Sequence, residues 1–204
     1  MLRLTLICAC CLLPWALDAQ TTSRSKPTSQ PTTASQPAKP QPAGPANFGP
    51  FTLTPPKTWN VTVAPVAAGI RKAVYTLPRL ETDNADGEMV VFFFKGGAGS
   101  VAANLARWRS QMKKPENLSE DEYCVFSKQT VDGLKVSIAE IRGDYSGDPR
   151  NPHKVVPNQM MLSAVVETAQ GNYFIRTTGP VKTMESHQEA WLKMVLSIKA
   201  RKKQ

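Results

Sequence analysis

Six consecutive apolar residues, Met89 to Phe94, constrain the fold of this chain more than any other feature. A strand with apolar side chains on both faces has no face suited to water, so it belongs in the middle of a covered sheet. Helices are the elements that cover the faces of such a sheet. The run therefore predicts a layered domain of α and β elements with this strand at its centre.

Short strands separated by turn signals surround this central run. Asp132-Gly133 and Gln170-Gly171-Asn172 are typical of hairpin turns, whereas Asp144 to Pro157 indicates a long loop. Strands this close in sequence are mostly joined as hairpins, so the sheet is expected to be mainly antiparallel. The predicted strands are residues 51–53, 59–63, 70–77, 89–94, 123–129, 134–141, 160–168 and 173–177.

Two amphipathic helices are predicted to flank this sheet. Ser100 is a favourable N-cap for a helix from Val101 to about Lys113, and a second helix runs from about Met184 to Lys199. The apolar spacing places Trp108 and Trp191 towards the core. In the first helix, the side chains expected to face inward are those of Val101, Leu105, Trp108 and Met112. Those expected to face outward are Asn104, Arg107 and Ser110. The expected fold class is α+β, with a single mainly antiparallel sheet flanked by two or more helices.

The first nineteen residues have the pattern of a secretory signal. Arg3 precedes an apolar stretch from Leu4 to Leu17, and Ala19 is a small residue at a suitable cleavage point. The stretch is too short to span a bilayer, so no transmembrane segment is expected in the mature chain. Acylation at Cys10 or Cys11 is the alternative, although the apolar residues that follow fit it poorly. The expected location is secreted or periplasmic, or lipid-anchored in the alternative.

Residues 20–46 form a predicted linker before a globular domain at 47–204. The linker is rich in Pro, Thr, Ser and Gln and contains no aliphatic residue larger than Ala, which predicts disorder. Cys124 is the one cysteine of the domain, so no internal disulfide is expected. The domain therefore depends on its apolar core, with the linker as a tether.

Several segments resemble the PsbP/Mog1-like fold superfamily. They are Trp59, the run Arg71-Lys72-Ala73-x-Tyr75-x-Leu77-Pro78, the strand-loop-helix segment from Phe92 to Met112, and Gly179-Pro180 before the last helix. The chain looks like exported bacterial members whose activity is unassigned. The resemblance implies an α/β/α sandwich and a protein that binds other proteins instead of turning over a substrate. It transfers no functional residue to this chain.

A glycine-rich turn between the central strand and the first helix is the candidate ligand site. Free backbone N–H groups at a helix N-terminus favour an anion, but no Lys precedes Ser100, so the turn is not a P-loop. The alternative is a tight turn in which glycine adopts positive φ. The candidate anion-binding residues are Lys95, Gly96, Gly97, Gly99 and Ser100.

The remaining candidates for chemistry are isolated residues. His153 lies in a loop with Asp144 and Asp148, which leaves a hydrolase open, but no Gly-x-Ser-x-Gly elbow accompanies them. His187 and Cys124 are expected to be ordinary surface and strand residues. The acidic turn Glu81, Asp83, Asp86 and Glu88 lacks the spacing of a calcium loop. The sequence therefore predicts no catalytic residue, no metal and no cofactor.

The formal net charge is +9, and the domain retains a positive excess after the leader and linker are removed. Such an excess favours anionic partners, and Arg107, Lys113 and Lys114 are the candidate contacts for an anionic polymer or surface. The leading hypothesis is an exported, non-catalytic binding or assembly module. Its partner is expected to be another protein or envelope component, with no specific nucleic acid. The alternatives are an extracytoplasmic hydrolase and anionic-polymer binding.

Overall fold

The computed structural model describes residues 41–201, except residues 64, 66–68, 97, 148–150 and 152. Internal contacts divide the chain into two units, residues 1–36 and residues 37–204, and every described residue belongs to the second. The predicted signal and most of the predicted linker lie outside the described residues. Within the described part, no helix has both the length and the apolar character needed to cross a bilayer.

Strands dominate the described part of the chain. In chain order the elements are β1 (Gln41–Pro42), β2 (Ala46–Asn47), β3 (Phe51–Leu53), β4 (Asn60–Val63), β5 (Arg71–Leu77), β6 (Gly87–Lys95), α1 (Val101–Ser110), β7 (Met112–Lys113), α2 (Glu120–Tyr123), β8 (Cys124–Val131), β9 (Leu134–Tyr145), β10 (Val156–Thr168), β11 (Gly171–Pro180), α3 (Val181–Leu196) and β12 (Lys199–Ala200).

The main sheet is antiparallel throughout and runs in the order β1-β4-β5-β6-β11-β10-β9. β7 and β8 pair with different parts of β9, so they lie end to end along its outer side. β6 lies between β5 and β11 at the middle of the sheet. The central position predicted for Met89 to Phe94 is therefore confirmed.

Each face of the sheet carries its own apolar core. On one face, Trp191 and Met194 of α3 pack with Met89 and Val91 of β6. On the other face, Trp108 of α1 packs with Phe92 and Phe94 of the same strand, among other partners. Met89, Val91 and Phe93 of β6 thus belong to one core and Phe92 and Phe94 to the other, and the predicted α+β class is confirmed.

A small second sheet, β12-β3-β2, extends the core on the α3 side. Gln41 pairs with Val61 in the main sheet, while Ala43 and Ala46 are buried. The sequence placed residues 41–46 in the linker and the start of the domain at Asn47, whereas the structure places Gln41 in the main sheet and Ala43 and Ala46 in the core. This segment contains no aliphatic residue larger than Ala, so the sequence predicted a linker. Both alanines are nevertheless small enough to be buried in the core.

α1 is shorter than the sequence predicted. It ends at Ser110, because Met112 leaves the helix and pairs with Tyr145 of β9. Asn104 was expected to face solvent but is buried, since its side-chain amide donates to the carbonyl oxygens of Ala98 and Ser100. The amide of Asn104 holds the preceding turn against the helix. A polar residue at this position therefore does not indicate the solvent-facing side of α1.

Contacts from distant residues also shift the other element boundaries. α3 begins three residues earlier than predicted because Asp83 accepts hydrogen bonds from the N–H and the hydroxyl of Thr183. β10 begins at Val156, opposite Tyr145, so both strands extend into the predicted loop. Ser119 and Glu122 form a capping box at the start of α2. Tyr123, which was predicted to begin a strand, is therefore the last residue of this short helix.

Candidate functional site

The glycine-rich turn after β6 has the geometry of a tight turn. Gly96 and Gly99 adopt φ values of 79° and 86°, a region that disfavours other residues. The hydroxyl of Ser100 accepts a hydrogen bond from the Ala103 N–H at 3.1 Å, as predicted for an N-cap. Lys95 is exposed, and Gly97 lies outside the described residues. Anion binding at this turn stays a prediction.

His187 is a structural residue of α3. The indole Nε1 of Trp59 donates to its Nδ1 at 3.2 Å, and its Nε2 lies 2.9 Å from the carbonyl oxygen of Pro78. In this arrangement Nδ1 accepts a hydrogen bond and Nε2 is placed to donate one. Both ring nitrogens are engaged, so His187 joins α3 to the segments around β4 and β5 instead of serving as a free base.

His153 and Asp144 do not form the pair that a hydrolase would require. His153 is exposed, and Asp144 Oδ1 accepts a hydrogen bond from the Asn158 N–H at 3.2 Å. No hydrogen bond joins His153 to Asp144 among the described residues. Asp148, the other acid predicted nearby, lies outside them. The hydrolase alternative therefore gains no geometric support.

Cys124 has the environment of an unreactive thiol. Burial is the largest influence on the pKa of the Cys124 thiol and raises it. The positive charge of Arg109 lowers the pKa by a smaller amount, and the negative charge of Glu120 raises it again. A raised pKa keeps the side chain protonated at neutral pH, and the nucleophilic form is the thiolate. Cys124 therefore fits the strand role that the sequence predicted.

The acidic turn before β6 is engaged in local contacts. Asp86 accepts a hydrogen bond from the Arg79 N–H at 3.0 Å. Glu88 forms an ion pair with Arg71, with Oε1 3.3 Å from Nη2. Asp83 caps α3 as described above. No group of three His, Cys, Asp or Glu side chains suited to a metal occurs within the described part of the chain.

The predicted basic cluster is also partly engaged within the chain. Arg107 donates to the side-chain oxygen of Asn104 at 2.6 Å. Lys114 lies 3.5 Å from Glu120, which also accepts a hydrogen bond from Arg109 at 2.8 Å. Lys113 is exposed on β7. The contact between these residues and an anionic polymer stays a prediction.

β8 is an open edge strand with unusual exposure. Among the described residues its ladder partner is β9, and no strand of that part pairs with its other side. Six consecutive residues, Val125 to Thr130, are exposed, including Val125 at 50% and Phe126 at 46%. The strand contains neither proline nor glycine. Long and partly apolar edges of this kind are templates for pairing with another chain.

The turn that joins β8 to β9 fixes which backbone groups face outward. Asp132 and Gly133 both have positive φ, 47° and 81°, as a type I′ hairpin turn requires. Val131 and Leu134 are then a hydrogen-bonded pair, and the pattern repeats at every second residue. Phe126, Lys128 and Thr130 consequently direct their N–H and C=O groups away from β9.

The side chains of these three residues line a groove between β8 and α1. Phe126 shares a cavity of about 680 Å³ with Leu105 and Ala106. Lys128 and Thr130 line an adjoining cavity of about 690 Å³. The outward backbone groups and the groove therefore belong to one surface, which we call the β8 surface and define as Phe126, Lys128, Thr130 and the facing residues of α1.

The sequence predicted a strand here but missed its edge position. The available signal was the Asp132-Gly133 hairpin together with Lys128 in the middle of an otherwise uncharged strand, since lysine is common on protected edges. The position itself depends on which strand pairs with the far side of β9. That pairing is a long-range property that local pattern does not reveal.

A second cleft lies beside the start of α3 and has a volume of about 700 Å³. Arg142 in this cleft forms an ion pair with Glu185, and Asp83 caps the helix. The Asn158 N–H is bound by Asp144. Because Arg142, Asp83 and Asp144 are already engaged by partners within the chain, the cleft is less suited to a ligand than the β8 surface.

Comparison with known proteins shows similarity in fold. No protein-family model matches the chain, and no curated protein matches it in sequence. Similar solved structures include the Synechocystis sp. PCC 6803 cyanobacterial PsbP, CyanoP, at 10% identity and a TM-score of 0.47, covering 86% of this chain and 100% of that one. Another is a Pseudomonas aeruginosa protein of unknown function, described as a putative regulator, at 12% identity and a TM-score of 0.46, covering 79% of this chain and 99% of that one. The sequence was expected to resemble the PsbP/Mog1-like superfamily, and a cyanobacterial PsbP is among the solved structures to which this chain is similar.

Proposed function

We propose that this chain is an exported binding module that captures an extended segment of another protein along β8. The observation that carries the proposal is the row of outward N–H and C=O groups at Phe126, Lys128 and Thr130. In strand addition, such main-chain groups supply affinity, while alternate side chains supply specificity. The adjoining groove gives the incoming side chains a surface to contact.

A binding role is favoured over catalysis by the state of the chemically active side chains. Both nitrogens of His187 bind structural partners, and the pKa of the Cys124 thiol is raised by burial. The carboxylates of Asp83 and Asp144 are bound to backbone N–H groups. These groups stabilise the fold, whereas the exposed backbone of β8 has no such role.

Export and tethering belong to the same proposal. The leader at residues 1–19 would direct the chain out of the cytoplasm, and residues 20–40 would hold the domain at a distance from its attachment. Mass spectrometry of the mature protein tests this part. We expect Gln20 at the N-terminus, whereas a diacylglyceryl group on Cys10 or Cys11 would establish the lipid-anchored alternative.

Selection from a displayed library of random peptides tests the binding role. The mature chain serves as bait, and the peptides have eight residues, the length of β8. Enriched peptides are then titrated against the wild type, Thr130→Pro and Thr130→Ala. Proline removes an outward N–H, while alanine keeps it, so only Thr130→Pro should lose binding.

Amide hydrogen exchange supplies a second readout that does not depend on the proline variant folding. A captured peptide should slow exchange at Phe126, Lys128 and Thr130 in the wild-type protein, because their N–H groups become hydrogen-bonded. Failure to enrich any peptide would contradict the proposal. So would peptides that bind Thr130→Pro as tightly as wild type and leave these three amides unchanged.

A further inference from the structure

We infer that the segment captured by β8 is acidic, an inference that rests on the proposed function. Its side chains on the α1 side would place an apolar group beside Phe126 and a carboxylate beside Lys128. Phe126 and Lys128 are two residues apart on one face of the strand, so the partner residues are also two apart. This spacing holds whether the segment runs parallel or antiparallel to β8.

Lys128 is the centre of the positive charge on this surface. It lies opposite the buried Ser137 of β9, and no ion pair involves it among the described residues. Lys135 lies opposite Thr130 and likewise has no ion pair within that part of the chain. Glu167 lines the same cavity but forms no ion pair with either lysine. Both ammonium groups are therefore available to a carboxylate.

The other end of the groove also has more cations than carboxylates. Arg109 and Lys114 line the cavity beside Phe126 and share one acidic partner, Glu120, at 2.8 Å and 3.5 Å. On the α1 side of β8, an approaching acidic segment would meet positive side chains at both ends of the strand, whereas Asp121 and Glu122 lie beside Val125 on the other face. Complementary charge of this kind selects partners and accelerates their encounter.

A second copy of this chain fits the β8 surface less well. An antiparallel pairing that uses all three outward residues of each copy places Phe126 opposite Thr130 and Lys128 opposite the second Lys128. Like charges directly opposite one another destabilise a strand pair. The central lysine therefore opposes self-pairing while it attracts an acidic strand.

The N-terminal region of the chain itself is also a poor occupant. Residues 20–40 contain Arg24, Lys26 and Lys39, contain no acidic residue and are interrupted by prolines. Proline lacks the N–H that a β ladder requires. The described chain begins at β1, at the sheet edge opposite β8. Both charge and backbone chemistry therefore favour a different protein.

The peptides enriched by the library test this inference. We expect Asp or Glu two positions from an apolar residue, and replacement of that acid by its amide should weaken binding about three- to fivefold. Lys128→Gln should weaken binding of the acidic peptide by a similar factor. It should hardly affect binding of the amide peptide, because the substitution in the protein and the one in the peptide remove the same interaction. Lys57→Gln, at an exposed lysine before Trp59, is the control and should leave affinity unchanged.

The possible outcomes separate this inference from the proposed function. Neutral or basic peptides that still depend on the Thr130 N–H would overturn the acidic partner and leave strand capture intact. An absence of enriched peptides would overturn both. If β8 amides become more protected as the concentration of the free protein rises, the occupant is a second copy, and the acidic inference fails.

Discussion

The two edges of the main sheet are finished in opposite ways. At one edge the described part of β1 comprises Gln41 and Pro42, and the proline has no N–H to offer. At the other edge β8 has eight residues without proline or glycine, and six of them are exposed. Natural sheets usually protect their edges with short strands, prolines and charges. The β1 edge follows this rule, whereas β8 has Lys128 as its one charged residue.

This difference indicates where the molecule is built for stability and where it is available for binding. Near the β1 edge, Trp59 is fully buried and its indole is held by His187. At the β8 edge the aromatic residue is Phe126, which is 46% exposed. An aromatic side chain in the core stabilises the fold, while a half-exposed one is available to a partner.

Truncating the aromatic residue at each edge should give the largest contrast. Trp59→Ala is expected to lower the free energy of unfolding by about 3–5 kcal/mol, since it leaves a cavity in the core. Phe126→Ala should cost no more than about 1 kcal/mol because half of the ring is already in water. Urea unfolding of both variants measures the difference. Equal losses in the free energy of unfolding would contradict the distinction between the two edges.

Proline substitutions within β8 should separate inward from outward backbone groups. Ser127→Pro removes an N–H that bonds to β9 and should cost about 1–3 kcal/mol, because a buried carbonyl also loses its partner. Thr130→Pro removes an outward N–H and should cost less than about 1 kcal/mol. Thermal unfolding with Ser127→Ala and Thr130→Ala as matched controls provides the measurement. The reverse order would mean that the register of β8 is different.

Removing the charge that protects β8 should increase self-association. Lys128→Val is expected to strengthen pairing between two copies about fivefold, since two opposed lysines no longer repel each other. Analytical ultracentrifugation over a concentration series detects this change, and Lys57→Val is the matched control. If Lys128→Val and Lys57→Val behave alike, Lys128 does not protect the edge.

The smallest predicted effect concerns the capping box that leads into β8. Hydrogen bonds from the Ser119 backbone N–H and hydroxyl lower the pKa of Glu122. A lowered pKa in the folded state adds stability above the pKa of the unfolded chain, and this stability is lost as pH falls through the folded value. Glu122→Gln should therefore melt slightly below wild type at neutral pH, and the two should converge in acid. A gap that widens as pH falls would contradict the box.

Local pattern was sufficient for the centre of this fold. The run from Met89 to Phe94 predicted β6 correctly because burial on both faces leaves a continuous apolar signature. Trp108 and Trp191 were correctly assigned to the core because each lies on an apolar stripe of its helix. These features depend on the spacing of neighbouring residues, which the sequence displays directly.

Features that depend on distant contacts were not predictable in the same way. Asp83 caps α3 across one hundred residues of chain, so the start of that helix could not be found locally. Met112 leaves α1 because β9 offers it a ladder partner. The binding surface has the same origin, since β8 is an edge only because no strand of the described chain pairs with its outer side.

Amide hydrogen exchange of β8 in the free protein measures whether the outer side of this strand is open. An open edge predicts alternation, with slow exchange at Val125, Ser127 and Gln129, whose N–H groups bond to β9, and fast exchange at Phe126, Lys128 and Thr130. Uniformly slow exchange across all six amides would show that the edge is already occupied, and it would contradict the open β8 surface on which the proposed function depends.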